Sequence, residues 1–283
     1  MMENNKFIKS NKAEKLLTYG SIILKALYRH CRNIILFNVL RRQDITPYMS
    51  FEETVIIEEI LGKFKPKKCL EWGTGYSTLL FPGYAGENAN WLSVEHDEEW
   101  ASRIKKMNKN ANAIISYAAP NNPSWTDPDH DGAFCDLKDY IEFPGSYGPF
   151  DFILVDGRAR KDCLIKARDI INDNGIVVLH DADRKYYQQP LELYKYKFSF
   201  SDYTGGWIKL WVGSKGININ EYIDVYGQVE LLQLLKALSK NRTVDLAKVL
   251  NEYFYSKIDP PQKPEIFGKY ETTSVREQRR QKQ

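Results

Sequence analysis

Five short apolar segments, most of them separated by segments of helix length, constrain this fold more than any other feature of the sequence. The apolar segments are KKCLEW, WLSVEH, AIISYA, FDFILVDG and GIVVLHD, and helices are predicted from Ser77, from Glu98 to about Asn108 and from Ala159 to Ile171. Strands that alternate with helices form βαβ units, so the pattern predicts an α/β fold with a mostly parallel sheet and helices on both faces. Two later runs, YKFSFS and WIKLWVGS, predict a hairpin at the sheet edge that turns at Gly205-Gly206.

The sequence on either side of this α/β region has a different pattern. We predict a helical N-terminal extension over residues 1–50, the α/β domain over 51–215, a helical C-terminal appendage over 216–260 and a flexible tail over 261–283. Ser50 and Glu53 form a capping box that starts a helix, and Gly62 is expected to end this helix.

The segment from Leu16 to Arg42 is the most apolar part of the N-terminal extension, but charged residues interrupt it. Each charge near the centre of a bilayer would cost roughly 2.5 to 3.5 kcal/mol, so a membrane span is not predicted. A helix that packs on the α/β domain or in a homodimer is favoured, and peripheral membrane contact of a basic amphipathic helix is left open.

Charge and cysteine content restrict the class of protein. The formal net charge of +3 over 283 residues is too small and too evenly spread to suggest a nucleic-acid-binding protein. The four cysteines lie far apart without a CxxC pair, which disfavours a zinc site or a disulfide framework. We therefore expect a cytoplasmic protein, with association to a membrane left open.

The first apolar segment leads into the turn GTGYST, where the next helix begins. Gly73 and Gly75 allow a tight turn and a close approach of the backbone to a ligand. The N-terminus of the following helix favours an anionic group, and parallel sheets bind ligands at this edge. Glu95 ends the second strand, where a carboxylate can accept hydrogen bonds from both hydroxyls of a ribose.

Two residues distinguish between the nucleotide ligands that such a turn can bind. A dinucleotide fingerprint requires a third small residue at the position of Thr78. Glu71 would place negative charge beside a pyrophosphate, whereas the same carboxylate suits an ammonium group. A ligand that combines a ribose, a carboxylate and an ammonium is S-adenosylmethionine.

The segments LEWGTGYST, VEHDEEW, FDFILVDG and IVVLHDADR resemble the successive motifs of class I S-adenosylmethionine-dependent methyltransferases. The resemblance covers about Phe51 to Gly213 and implies a Rossmann-like, seven-stranded sheet whose final strand is antiparallel. The form EWGTGYST is similar to branches that include glycan and small-molecule O-methyltransferases. A saccharide or a small-molecule hydroxyl is therefore the expected methyl acceptor.

The resemblance also implies which residues bind the donor. Glu71, Gly73 and Gly75 would line the methionine end, Glu95 would hold the ribose, and the segment around Ala118 would approach adenine. Three further residues of the turn and the helix start are included in the predicted donor site, namely Thr74, Ser77 and Thr78.

Three titratable residues at strand ends are the catalytic candidates: Asp156, His180 and Asp181. Asp156 and Asp181 could bind Mg²⁺ or Mn²⁺, which would lower the pKa of the acceptor hydroxyl. Catechol-type O-methyltransferases work this way, but their next residue is Asn where this chain has Ala182, and Asp183 is the available substitute.

Alternatively, His180 or Asp156 is the general base without a metal. Plant glucuronoxylan methyltransferases have a similar pairing of VDG and HD, which keeps sugar acceptors in view.

Several interpretations remain open. Arg158, Arg160 and Arg184 could bind an acidic substrate or could be solvated helix starts. The loop from Ala118 to about Ala133 has the length of a lid or binding loop. The rival functions are an NAD-dependent oxidoreductase and a non-catalytic binding module that keeps the fold.

Overall fold

A seven-stranded sheet forms the centre of the part of the chain that the computed structural model describes, residues 47–126, 131–204, 206 and 208–223. The strands are β1 (Lys68–Trp72), β2 (Asn90–Glu95), β3 (Ala113–Tyr117), β4 (Phe150–Val155), β5 (Ile171–His180), β6 (Tyr196–Ser199) and β7 (Leu210–Ser214). Their order is β3-β2-β1-β4-β5-β7-β6, and β7 runs in the opposite direction to the other six. The Rossmann-like α/β fold with an antiparallel final strand, which the resemblance implies, is confirmed.

Eight α-helices lie within the described residues. They are α1 (Phe51–Phe64), α2 (Tyr76–Leu80), α3 (Pro82–Ala85), α4 (Glu98–Met107), α5 (Phe134–Glu142), α6 (Arg160–Ile170), α7 (Gln188–Leu191) and α8 (Phe200–Thr204). Short 3₁₀ turns cover Phe143–Ser146, Lys185–Tyr187 and Ile219–Glu221. None of the described helices combines the length and the apolarity that a membrane crossing needs. The predicted N-terminal extension, with its membrane or dimer contact, and nearly all of the C-terminal appendage and tail lie outside the described residues.

The capping box that starts α1 is present, but the predicted end of this helix is wrong. The Glu53 amide donates to Ser50 Oγ at 3.2 Å, and the Ser50 amide donates to Glu53 Oε2 at 2.8 Å. The helix continues past Gly62 to Phe64, and Lys65 then takes a left-handed conformation with φ of 50°. Pro66 explains this end, because a residue before proline is disfavoured in the right-handed helical region.

The middle strands form the core of the sheet. Every residue of β4 from Phe152 to Val155, and of β5 from Ile176 to Leu179, is buried. Residues on both faces of a strand can be buried only if both faces of the sheet are covered. The carboxyl ends of these strands therefore meet inside a layered structure, where a site can be sheltered from water.

Two connections differ from the sequence prediction. The segment between β6 and β7 contains α8, so the predicted hairpin pairs as expected but is not closed by a tight glycine turn. The helix α5 follows the long loop and was not predicted from the sequence. Asp136 caps its start, because its Oδ2 accepts from the amide of Ala133, the residue before the helix, at 3.0 Å. Within the loop, residues 127–130 lie outside the described part of the chain.

Candidate functional site

The carboxyl ends of β1, β4 and β5 are neighbours in the sheet. From β1, the chain adds β2 and β3 on one side and then β4 and β5 on the other side, so a topological switch point lies between β1 and β4. Parallel sheets bind ligands outside the carboxyl ends of the strands at such a point. Trp72 pairs with Val155, and Val155 pairs with Leu179. The residues that follow these three ends, Gly73, Asp156 and His180, are therefore brought together, as the sequence predicts.

Gly73 and Gly75 have different roles in the turn after β1. Gly73 has a φ of +95°, and a Cβ on it would lie 2.5 Å from Gly157 Cα. This glycine is required because the turns after β1 and β4 touch each other through their backbones. Gly75 is extended, and a Cβ on it would meet only Ser77 Oγ, at 3.6 Å. Of the two glycines, Gly75 is the one that leaves space for a ligand.

Glu71 faces the protein interior instead of a ligand. Its carboxylate is 0% exposed and accepts from Ser77 Oγ at 2.5 Å, from Thr78 Oγ1 at 2.7 Å and from Trp91 Nε1 at 2.9 Å. Burial raises the pKa of Glu71 to about 7, although the three donors oppose this rise. The carboxylate is paired with donors inside the protein, and the predicted contact between Glu71 and the donor ammonium stays a prediction. Ser77 and Thr78, also predicted to bind the donor, hold Glu71 with their hydroxyl groups.

Glu95 lies at the carboxyl end of β2, where the ribose-binding carboxylate is expected. Its Oε2 accepts from the Thr74 amide at 2.8 Å, and its Oε1 accepts from the His96 and Asp97 amides at 2.8 and 3.1 Å. Thr74 also pairs with Ser93, with 2.8 Å between their hydroxyl oxygens. Glu95 thus ties the end of β2 to the glycine turn. Its role as ribose ligand, and that of Thr74 in donor binding, stay predictions.

The segment after β3 lies beside the same turn. The Ala118 amide donates to the Glu95 carbonyl oxygen at 2.8 Å, which fixes this segment next to the end of β2. A cluster of three aromatic rings, which was not predicted from the sequence, lies close by. The His96 ring is 5.5 Å from that of Trp125 and 5.8 Å from that of Tyr140. The approach of Ala118 to adenine stays a prediction.

His180 lies between two carboxylates. Its Nδ1 is 2.7 Å from Asp156 Oδ1, and its Nε2 is 3.3 Å from Glu53 Oε2. Burial lowers the pKa of His180, but Asp156, Glu53 and Asp181 outweigh it and raise the pKa to about 10. The ring is therefore an imidazolium at neutral pH, with both nitrogens donating. His180 is 7% exposed, and its role as general base, one of the two predicted alternatives, stays a prediction.

Glu53 is a site residue that the sequence analysis assigned only to a helix cap. Besides its contacts with His180 and Ser50, its Oε1 accepts from the Lys209 amide at 2.7 Å. Burial raises the pKa of Glu53, but the hydrogen bond and charge of His180 dominate and lower it. This carboxylate joins the start of α1, the start of β7 and the end of β5. A capping box already explains a glutamate locally, so no signal in the sequence pointed to His180.

Arg160 is neither a substrate-binding nor a solvated arginine, contrary to both predicted alternatives. It is 4% exposed, and its Nη1 donates to the His180 carbonyl oxygen at 2.6 Å and lies 3.2 Å from Asp181 Oδ2. Its Nη2 donates to the Asp156 carbonyl oxygen at 3.2 Å and lies 3.4 Å from Asp156 Oδ1. The guanidinium therefore lies between the two acids at the ends of β4 and β5.

The outer part of the site contains Arg184 and two tyrosines. Arg184 Nη2 lies 3.1 Å from Asp181 Oδ2, and Nη1 donates to the hydroxyl oxygens of Tyr186 and Tyr187 at 3.1 and 3.2 Å. Asp131, from the long loop, accepts from the Tyr187 hydroxyl at 3.2 Å. Asp131 thus contacts residues that pair with the strand-end acids, and an exposed Tyr186 faces solvent at this edge. The role of the loop as a lid stays a prediction.

The predicted metal site does not fit these contacts. Asp156 and Asp181 both have the Arg160 guanidinium as their cation, and Asp183 Oδ2 lies 3.0 Å from Lys209 Nζ. Among the described residues, no group of three or more His, Cys, Asp or Glu side chains is arranged to hold a metal ion. Mg²⁺ and Mn²⁺ need several oxygen ligands with open lone pairs, and the ion pairs here occupy that role.

The raised pKa of His180 predicts how stability depends on pH. The unfolded chain has the ordinary value of 6.5, so the stabilisation from the imidazolium is complete below pH 6.5 and is lost as pH rises toward about 10. In this window the free energy of unfolding should fall by up to about 1.4 kcal/mol per pH unit. Urea titrations at several pH values measure it. His180→Gln should lack this slope, and an equal slope in both proteins would show that His180 is not the group that titrates.

Comparisons with family models and with curated proteins give no match. Among solved structures, a methyltransferase-like protein from Silicibacter pomeroyi is 20% identical, with 66% of this chain and 96% of that chain covered and a TM-score of 0.44. The O-methyltransferase TomG from Streptomyces achromogenes, in complex with SAM, is 12% identical, with 66% and 89% covered and a TM-score of 0.41. An O-methyltransferase from Bacillus cereus, in complex with SAH, is 15% identical, with 77% and 79% covered and a TM-score of 0.38. At these identities and TM-scores the likenesses carry no argument about function.

Proposed function

We propose that this chain is an S-adenosylmethionine-dependent methyltransferase that methylates a hydroxyl of a saccharide or small molecule. One observation carries the proposal. The four motifs that resemble those of class I methyltransferases follow β1, β2, β4 and β5 at one edge of a sheet with an antiparallel β7. Sequence motifs and strand order therefore agree.

The same topology argues against an NAD-dependent oxidoreductase. The usual dinucleotide-binding sheet has the strand order 3-2-1-4-5-6. Here β7 is inserted antiparallel between β5 and β6. Thr78, in place of the third small residue, donates its hydroxyl to the buried Glu71. The turn therefore lacks the third small residue that a dinucleotide fingerprint requires.

The residues at the carboxyl ends of β1, β2 and β3 fit an adenosyl ligand in part. Gly75 leaves space beside its Cα, Glu95 ends β2, and Ala118 follows β3 next to Glu95. Glu71 supports the turn from inside the protein. When bound, S-adenosylmethionine supplies an electrophilic methyl group on a sulfonium, so the protein has to orient the acceptor and take up its proton.

Asp156 is the residue we assign to proton transfer. Its contacts within the described part of the chain run through Oδ1 and the backbone, and its side chain is 18% exposed. Oδ2 would therefore accept the proton that an acceptor hydroxyl releases on methylation. His180 and Arg160 contact Oδ1 of this carboxylate and fix its position. Tyr186 and Arg184 lie on the outer side, where an acceptor with several hydroxyl groups would bind.

Calorimetry with S-adenosylhomocysteine tests the function, and Gly75→Ala tests the place of binding. The added methyl group has ordinary contacts, so the free energy of unfolding should change by less than about 1 kcal/mol. The affinity for S-adenosylhomocysteine should fall by about tenfold or more, since the methyl group fills the ligand space.

Gly83→Ala is the matched control, because nothing lies within 4 Å of its Cβ position in α3. This variant should bind S-adenosylhomocysteine like the wild type. Uptake of NAD by the wild type without uptake of S-adenosylhomocysteine would overturn the proposed function. Unchanged affinity of Gly75→Ala for S-adenosylhomocysteine would show that the donor does not bind at this turn.

A further inference from the structure

Two carboxylates at the ends of β4 and β5 share one internal cation. We propose that the Arg160 guanidinium takes the place of a divalent metal between Asp156 and Asp181, and that it positions both carboxylates for a site that works without metal. The consequence for catalysis rests on the proposed function. The place of the cation rests on the contacts alone.

The guanidinium is held in one orientation by five contacts. Nε donates to the Gly157 carbonyl oxygen at 2.8 Å, and Nη1 and Nη2 donate to the carbonyl oxygens of His180 and Asp156. The same two nitrogens face Asp181 Oδ2 at 3.2 Å and Asp156 Oδ1 at 3.4 Å. A planar group with fixed donors sets the direction of each carboxylate more strictly than a lysine could.

The backbone at Asp181 indicates that this arrangement is maintained at a cost. Asp181 has a φ of 55°, which non-glycine residues rarely adopt. Its carboxylate lies between Arg160 and Arg184, 3.2 and 3.1 Å from their nitrogens. Strained backbone persists where surrounding contacts determine it, and functional sites are common places for it. The two ion pairs therefore explain why β5 ends in this conformation.

Neighbouring acids are also paired with protein donors. Asp183 faces Lys209, and Glu53 faces His180. Asp131 accepts from the Arg160 amide at 3.2 Å and from Tyr187. A metal ion between Asp156 and Asp181 would have to displace a guanidinium that is almost fully buried. That displacement would leave Arg160 with unpaired donors inside the protein, which is strongly unfavourable.

Titration with Mn²⁺, followed by electron paramagnetic resonance, tests the inference on the full chain. The wild type should leave the spectrum of free Mn²⁺ unchanged. Arg160→Gln removes the charge but not the acids, so its affinity for Mn²⁺ should rise by about tenfold or more. Guanidinium chloride, at a concentration too low to unfold the protein, should then compete with Mn²⁺ for this variant. A residue needed only for folding would give neither the gain nor the competition.

The result that overturns the inference is stoichiometric binding of Mn²⁺ by the wild type that Asp156→Asn abolishes. A folded Arg160→Gln variant with no gain in Mn²⁺ affinity would also overturn it. If Arg160→Gln does not fold, the comparison of wild type with Asp156→Asn decides alone. Binding of S-adenosylhomocysteine is measured on the same wild-type sample. Its failure would remove the proposed function and leave the Mn²⁺ result interpretable.

Discussion

Gly73→Ala is expected to destabilise the protein more than almost any other single methyl addition. The backbone at Gly73 has a φ of +95°, and its new Cβ would lie 2.5 Å from both Cα and N of Gly157. Backbone strain of this kind costs about 1 to 3 kcal/mol, and overpacking against atoms that cannot move costs about 1 to 3 kcal/mol more. The sum is a large part of the stability of a typical domain, about 5 to 15 kcal/mol. Urea unfolding followed by circular dichroism measures the difference.

Gly62→Ala is the control with the opposite expected sign. Gly62 lies in the exposed part of α1, and nothing is within 4 Å of its Cβ position. Alanine should stabilise this helix by about 0.5 to 1 kcal/mol. A loss of less than about 1 kcal/mol in Gly73→Ala would show that the turns after β1 and β4 do not pack through their backbones.

The mostly parallel sheet with helices on both faces could be predicted from the sequence for physical reasons. Short apolar runs such as those of β4 and β5 are buried on both faces, and this requires helices on both sides of the sheet. Asp156, His180 and Asp181 follow the ends of adjacent strands, so their proximity follows from topology. What fails are details that depend on one neighbour, such as the end of α1, which Pro66 decides.

The residues that contact the catalytic candidates could not be predicted from the sequence in this way. Glu53 and Arg160 lie at helix starts, where a cap or a solvated position already accounts for a charged residue. Their second role appears only when α1 and α6 are placed against the end of β5. A sequence pattern describes neighbours along the chain, whereas this site is built from contacts between distant elements.

Glu71 illustrates the opposite case, in which a local pattern predicted a ligand contact and the structure adds internal hydrogen bonds. An acid two residues before a glycine turn resembles a donor-binding group. The hydroxyl groups of Ser77 and Thr78, six and seven residues later at the start of α2, donate hydrogen bonds to its carboxylate. Thr78 also lies at the position of the third small residue of a dinucleotide motif. The hydroxyl groups of Ser77 and Thr78 were the available signal that the carboxylate points inward.

Arg160→Met is expected to give the second large loss of stability. Methionine fills a similar volume, so the change removes the charge and five polar contacts with little loss of packing. Asp156 and Asp181 would then lie close together without their shared cation, and three carbonyl oxygens would lose a donor. Removing one partner of a buried ion pair costs about 3 to 5 kcal/mol. The side chains of both acids are partly exposed, so the lower end of this range is expected in urea titrations.

Arg168→Met is the matched control on the same helix. Arg168 Nε donates to the Leu193 carbonyl oxygen at 3.1 Å in an exposed contact, so its loss should cost less than about 1 kcal/mol. The dependence on salt is a further test of Arg160, because screening weakens exposed ion pairs and leaves buried ion pairs largely unchanged. The loss in Arg160→Met should therefore be the same at low and high ionic strength. A loss that disappears at high salt would mean that the guanidinium lies in solvent, and that Asp156 and Asp181 are not organised by it.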